Sequence, residues 1–190
     1  MVRCGLVCAA TVGALLTLAG GTQAQIVFTA ILNGANEAPT PNASTAKGYG
    51  TFTLNAAQTQ LTFDVTYQGL GSAFAASHFH NQAAGTAGPI VRGMNIGTEG
   101  PGGTGSPNGT FSGVWSNTDA PTAGNPNNNP LTPTLVSELL AGRIYFNVHS
   151  AQFGGGEIRG QVFGVPEPAT LALSGVAFAG VIAYRRRRRA

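Results

Sequence analysis

The run Leu61-Thr62-Phe63-Asp64-Val65-Thr66-Tyr67 carries apolar side chains at odd positions and Thr or Asp at even ones. A period of two fits a half-buried strand and no helix, because successive strand side chains point to opposite faces. Gly69 and Gly71 mark its end. Weaker forms of the pattern recur over Ile26–Leu32, Tyr49–Leu54, Phe74–His80, Ile90–Met94, Thr110–Trp115, Arg143–His149 and Glu157–Phe163. Eight short strands separated by Gly, Pro and Asn clusters predict an all-β fold, an antiparallel β-sandwich or Greek-key barrel. One short helix is expected near 133–141. Thr132 is its N-cap, Pro133 opens it, Leu135, Val136, Leu139 and Leu140 form an apolar stripe, and Gly142 stops it. Residues 97–109 and 116–130 read as loops, and the second, long for a compact domain, is expected to be mobile.

Both ends of the chain carry sorting chemistry. Arg3 precedes an apolar stretch from Leu6 to Ala19, and Thr22-Gln23-Ala24 supplies the small residues of a signal peptidase site. Residues 1–24 are therefore expected to be a signal peptide, helical in its apolar part and cleaved between Ala24 and Gln25. At the other end, residues 165–190 begin with Pro166-Glu167-Pro168, continue through the uncharged stretch 169–184, and close on Arg185, Arg186, Arg187, Arg188 and Arg189. As a helix, 169–184 reaches roughly 24 Å, enough to cross a locally thinned inner membrane as a transient anchor. The arginines hold their end in the cytoplasm and place the domain outside.

Assigning these segments to sorting changes the meaning of the charge. The whole chain is +3, yet between Gln25 and Phe163 only Lys47, Arg92, Arg143 and Arg159 are basic. Glu37, Asp64, Glu99, Asp119, Glu138 and Glu157 oppose them there, so four bases against six acids leave −2. A nucleic-acid partner is thereby excluded from the expectations. Cys4 and Cys8 both fall in the signal segment, so the domain over 25–164 must be stable without disulfides.

The Pro166-Glu167-Pro168 motif, apolar helix and arginine cluster, in that order at the C-terminus, resemble the PEP-CTERM sorting signal. That resemblance implies processing by a membrane exosortase and a Gram-negative-type bacterium that makes extracellular polysaccharide. It also implies delivery to the cell surface or extracellular matrix, with that polysaccharide as a candidate partner. The domain itself resembles the CHRD domain over about 26–163. The resemblance rests on Phe28 to Pro39, Gly48, Leu61 to Tyr67, Gly69-Leu70, Ser77-His78-Phe79-His80, Gly85, and Gly88-Pro89-Ile90-Val91. It closes on Leu139 to His149 and Gly156-Glu157-Ile158-Arg159-Gly160-Gln161-Val162. The family implies an immunoglobulin-like or superoxide-dismutase-like sandwich and no established reaction, so a non-enzymatic structural or binding role is expected.

The remaining chemistry lies with three histidines. His78 and His80 are two apart on one strand and share a face, and His149 ends another strand. If those strands are neighbours, three imidazoles converge, a donor set suited to Cu or Zn in a metal-binding module or metal-dependent enzyme. The pattern resembles part of the copper site of Cu/Zn superoxide dismutase. It departs from it in lacking a fourth histidine, a disulfide and an obvious zinc-holding acid, so dismutase activity is not expected. Alternatively, the histidines bond to Glu157, Asn147 or backbone groups. Glu157 and Arg159 share a strand face and are candidates for structural ion pairs, with Arg143 or Glu37 as partners. Glu37 with Glu157 would resemble an acid/base couple if they met. Trp115, Tyr49 and Tyr67, if exposed, would suit a protein- or polysaccharide-binding face.

Overall fold

The structure is a computed structural model that describes residues 24–95, 97–101 and 105–166. The expected signal helix, the membrane segment 169–184, Glu167, Pro168 and the five terminal arginines lie outside the described residues. No helix among the described residues is long and apolar enough to cross a membrane.

Nine antiparallel strands form one sheet: β1 (Ile26–Asn33), β2 (Lys47–Leu54), β3 (Gln60–Gln68), β4 (Phe74–Asn81), β5 (Ile90–Gly93), β6 (Gly109–Ser116), β7 (Ile144–Ser150), β8 (Ile158–Gln161) and β9 (Phe163–Gly164). The order is β5-β4-β7-β8-β1-β2-β3-β6, with β9 alongside β1. The sheet curls so that β5-β4-β7-β8 packs face to face on β1-β2-β3-β6. The seam is thin, with a single residue pair, Asn33 with Arg159, joining β8 to β1.

In β3 the alternation is complete, with Leu61, Phe63, Val65 and Tyr67 buried and the residues between them exposed. Its neighbours β2 and β6 keep full register with it, so one inward row of side chains covers three strands. Phe79 of β4 closes the core from the opposite half. Its ring lies 5.9 Å from Phe52, 5.5 Å from Phe63, 5.0 Å from Phe146 and 5.1 Å from Trp115, within the range of favourable edge and tilted contacts. Trp115 and Tyr67 are buried in this core, which corrects the expectation of an exposed aromatic face; of the three, only Tyr49 is exposed.

The helix α1 spans Pro133–Leu140, and the Thr132 side chain accepts a hydrogen bond from the Leu135 amide. Val136 and Leu139 are buried, whereas Leu140 faces solvent. Gly142 ends the turn at φ +68 with its Cα against the Phe163 ring, so any side chain there is both strained and blocked. Thr132→Ala is expected to lower stability by about 1 kcal/mol in a denaturant titration, the usual cost of an N-cap.

The 116–130 stretch differs from the mobile loop expected. Asn125 is buried and donates to the Gly93 carbonyl and Asn95 Oδ1, while Asn129 donates to the Val91 carbonyl and accepts from Trp115 Nε1. Asparagines here supply the edge of β5 with partners that a further strand would otherwise provide. Arg92 is buried nearby, paired with Glu99 at 2.5 Å and Asp119 at 3.3 Å.

Candidate metal centre

The site is built by pairing β4 with β7. In register, His78 faces Asn147 and His80 faces Tyr145, and an irregularity between Phe74 and Ala76 sets Ala76 opposite His149. Ile144, Phe146 and Val148 point into the core, so Tyr145, Asn147 and His149 occupy the outer face together with His78 and His80. Yet every residue of β7 is buried. The loops around residues 82–89, 34–43 and 151–157 fold back over this face, which makes a covered polar layer from what alternation alone reads as a solvent face.

The three imidazoles meet in that layer. One ligating nitrogen from each of His78, His80 and His149 lies within 4.8 Å of the others. The hydrogen bonds assign the lone pairs. His149 Nδ1 lies 3.0 Å from the Gly154 carbonyl and must donate to it, leaving Nε2 as an acceptor. His80 Nδ1 donates to the Gly88 carbonyl at 2.9 Å, leaving a buried Nε2 with no partner. His78 Nδ1 stands 3.1 Å from His149 Nε2 and donates to it. Burial holds all three rings neutral. His78 is pushed down to about 3, chiefly by burial and then by its neighbours His149 and His80. Burial also lowers His80, despite its carbonyl partner, and His149. Backbone carbonyls thus orient two rings, as outer-sphere partners orient metal-ligating histidines, and neither Glu157 nor Asn147 bonds to a ring. Tetrahedral coordination at about 2.05 Å sets donors about 3.3 Å apart, so modest ring rotations close the set.

Around the cluster, Tyr145 stacks on His80 at 4.7 Å and 7°, and the Arg159 guanidinium carbon lies over the Tyr145 ring, 3.4 Å from its centroid. Tyr145 Oη accepts from the Gly88 amide, and Arg159 donates to the carbonyls of Thr86 and Ala83 and to Gln161 Oε1. These bonds tie the loop over His80. Arg159 therefore serves as a clasp, and neither it nor Glu157 forms a salt bridge among the described residues, contrary to the ion-pair expectation. Glu157 accepts from Ser44 Oγ at 2.6 Å and the Gly71 amide at 2.7 Å, joining two loops. Arg143 pairs with Glu138 instead. Glu37 is held by Asn147 Nδ2, at 3.0 and 3.1 Å to its two oxygens, so the two glutamates have separate partners. Tyr145 shares a strand face with His149 in the sequence; its stack on His80 follows from the β4–β7 register.

Glu37 gives the domain a pH signature. Burial pushes its carboxyl up from 4.5 to about 7, against the lowering effects of Asn147, Arg159 and the Ala38 amide. The folded state then binds more protons than the unfolded one between those values, so this contribution to stability is full below about 4.5 and is lost as pH rises through about 7. The depressed histidines act in the opposite sense below about 6.5. Comparing wild type with Glu37→Gln isolates the glutamate: denaturation at pH 5 and pH 8 is expected to show an excess wild-type loss of about 2 kcal/mol.

Fold and site define the class, an antiparallel β-sandwich domain with a loop-covered three-imidazole cluster. Residues 28–162 match the model of the CHRD domain, and the chain belongs to the CHRD domain family. Residues 164–189 match the PEP-CTERM protein-sorting motif. The motif marks a protein exported through a membrane-anchored intermediate and processed by an exosortase-type enzyme. Comparison with curated proteins and with solved structures gave no match.

Proposed function

We propose that this is a non-enzymatic cell-surface or matrix protein whose domain binds one Cu or Zn ion through His78 Nδ1, His80 Nε2 and His149 Nε2. The observation that carries the reading is the convergence of three neutral imidazoles, one with a buried nitrogen that nothing else engages. An unpartnered buried acceptor costs stability, and a metal ion relieves that cost. Binding needs the His78 proton to move from Nδ1 to Nε2, with no net proton release. Of the nearby carboxyls, Glu37 is held by Asn147, and Glu157 accepts from Ser44 and Gly71 through Oε1 while its buried Oε2 has no partner; neither bonds to an imidazole of the cluster.

The ends of the domain fit display on a tether. Val165 donates its amide to the Val27 carbonyl, so the chain leaves beside the start of β1. His149 lies toward the other end of the sheet, past the level where Val148 pairs with Ile158.

Elemental analysis of the exported protein, purified without chelators, tests the reading; it should find Cu or Zn near one per chain, and none would overturn it. Mass spectrometry of the same material is expected to show cleavage after residue 24 and loss of the tail beyond Pro166-Glu167-Pro168. An intact arginine-ended tail on released protein would contradict the sorting half of the proposal.

A further inference from the structure

A cleft of about 630 Å³ opens on the outer face along the seam between β8 and β1, on the side of Tyr145 away from the histidines. That volume is in the range of small-molecule sites. Its lining is of two kinds. Ile31 and Phe163, both exposed, and Pro39 and Pro41 supply apolar surface. Arg159 and Glu37 supply the charged chemistry, and each is more than nine-tenths buried.

The Arg159 guanidinium is the feature that calls for a ligand. Its bonds go to the Thr86 and Ala83 carbonyls and Gln161 Oε1, at 2.8, 3.0 and 3.2 Å. These neutral acceptors and the Tyr145 ring fix its position without neutralising its charge. They use three of its five N–H groups, and among the described residues no carboxylate lies within salt-bridge distance of it. Glu37, beyond salt-bridge distance, offsets that charge only in part, and a pre-positioned guanidinium suits a carboxylate, which it can receive through a charge-assisted hydrogen bond. The apolar surface suits a hydrocarbon body attached to that carboxylate.

We propose that the cleft binds a small organic acid, its carboxylate on Arg159 and its apolar body between Phe163, Ile31 and the two prolines. Glu37, raised to about 7 by its burial, is largely protonated only below neutral pH, where it adds little repulsion to such an acid. The site shares no ligating atom with the metal cluster.

Titration of the exported protein with phenylacetate, followed by calorimetry or NMR, tests this. A dissociation constant below about 1 mM is expected, reasonable for about ten heavy atoms. Phenylacetamide, phenethylamine and inorganic phosphate should each bind at least about tenfold more weakly, lacking the charge or the apolar body. Phe163→Ala, a change at an exposed side chain, should weaken phenylacetate about five- to tenfold. Arg159→Gln should abolish the preference for acid over amide; if that variant does not fold, the probe series and Phe163→Ala still decide. Equal binding of acid and amide, preference for the amine or for phosphate, an unaffected Phe163→Ala variant, or no binding at about 10 mM would each overturn the proposal.

Discussion

On the proposed metal-binding role, replacing His80 or His149 with Ala is expected to lower affinity for Cu or Zn by at least about 100-fold. Loss of an outer-sphere partner alone costs 10–100-fold, and these changes remove an inner ligand. Each ring also has a dedicated carbonyl, Gly88 for His80 and Gly154 for His149, and among the described residues the cluster holds no fourth His, Cys or carboxylate to replace it. The expected signature is double. Metal added at about 100 times its dissociation constant should stabilise the wild type by about 2.7 kcal/mol and the alanine variants by no more than about 0.4 kcal/mol. Without metal, His80→Ala deletes a buried nitrogen that has no partner, so the apo variant should lose much less stability than a core truncation. Were the histidines merely packing groups, metal would stabilise neither protein and the apo losses would be the whole effect.

The second large effect belongs to the core. Phe79→Ala should cost about 3–5 kcal/mol in a denaturant titration, a large part of the 5–15 kcal/mol typical of a domain. Its ring alone touches Phe52 and Phe63 of the facing half as well as Phe146 beside it and Trp115 of β6. Without disulfides over 25–164, that contact is a main link between the halves, because the backbone seam is short, one pair of β8 with β1 and two of β9 with β1. Phe79→Leu keeps most of the volume and should cost less than half as much. A loss near 1 kcal/mol for Phe79→Ala would show that the halves are held by something other than this aromatic cluster.

The strands were legible because each has one apolar face: all eight expected segments are strands, and the helix begins where Thr132 and Pro133 signal it. The limits also have physical reasons. Alternation tells two faces apart but not what covers the second one, so Tyr145, Asn147 and Arg159 read as surface residues although loops bury them. Aromatic position on a strand did not separate Tyr49, which faces solvent, from Tyr67 and Trp115, which fill the core. Residues 116–130 have the composition of a free loop, yet their asparagines bind an open strand edge, a long-range partnership that local composition does not encode. At the site, the sequence placed His78 and His80 on one face. Only the β4–β7 register brought His149 to them, and only the loop carbonyls chose which nitrogens are free.

Anomalous diffraction at the Cu or Zn absorption edge, from crystals of the exported protein supplied with one equivalent of either metal, tests that choice directly. The account predicts one peak at about 2.0–2.2 Å from His78 Nδ1, His80 Nε2 and His149 Nε2. A peak held by surface carboxylates instead, or none among these rings, would contradict it.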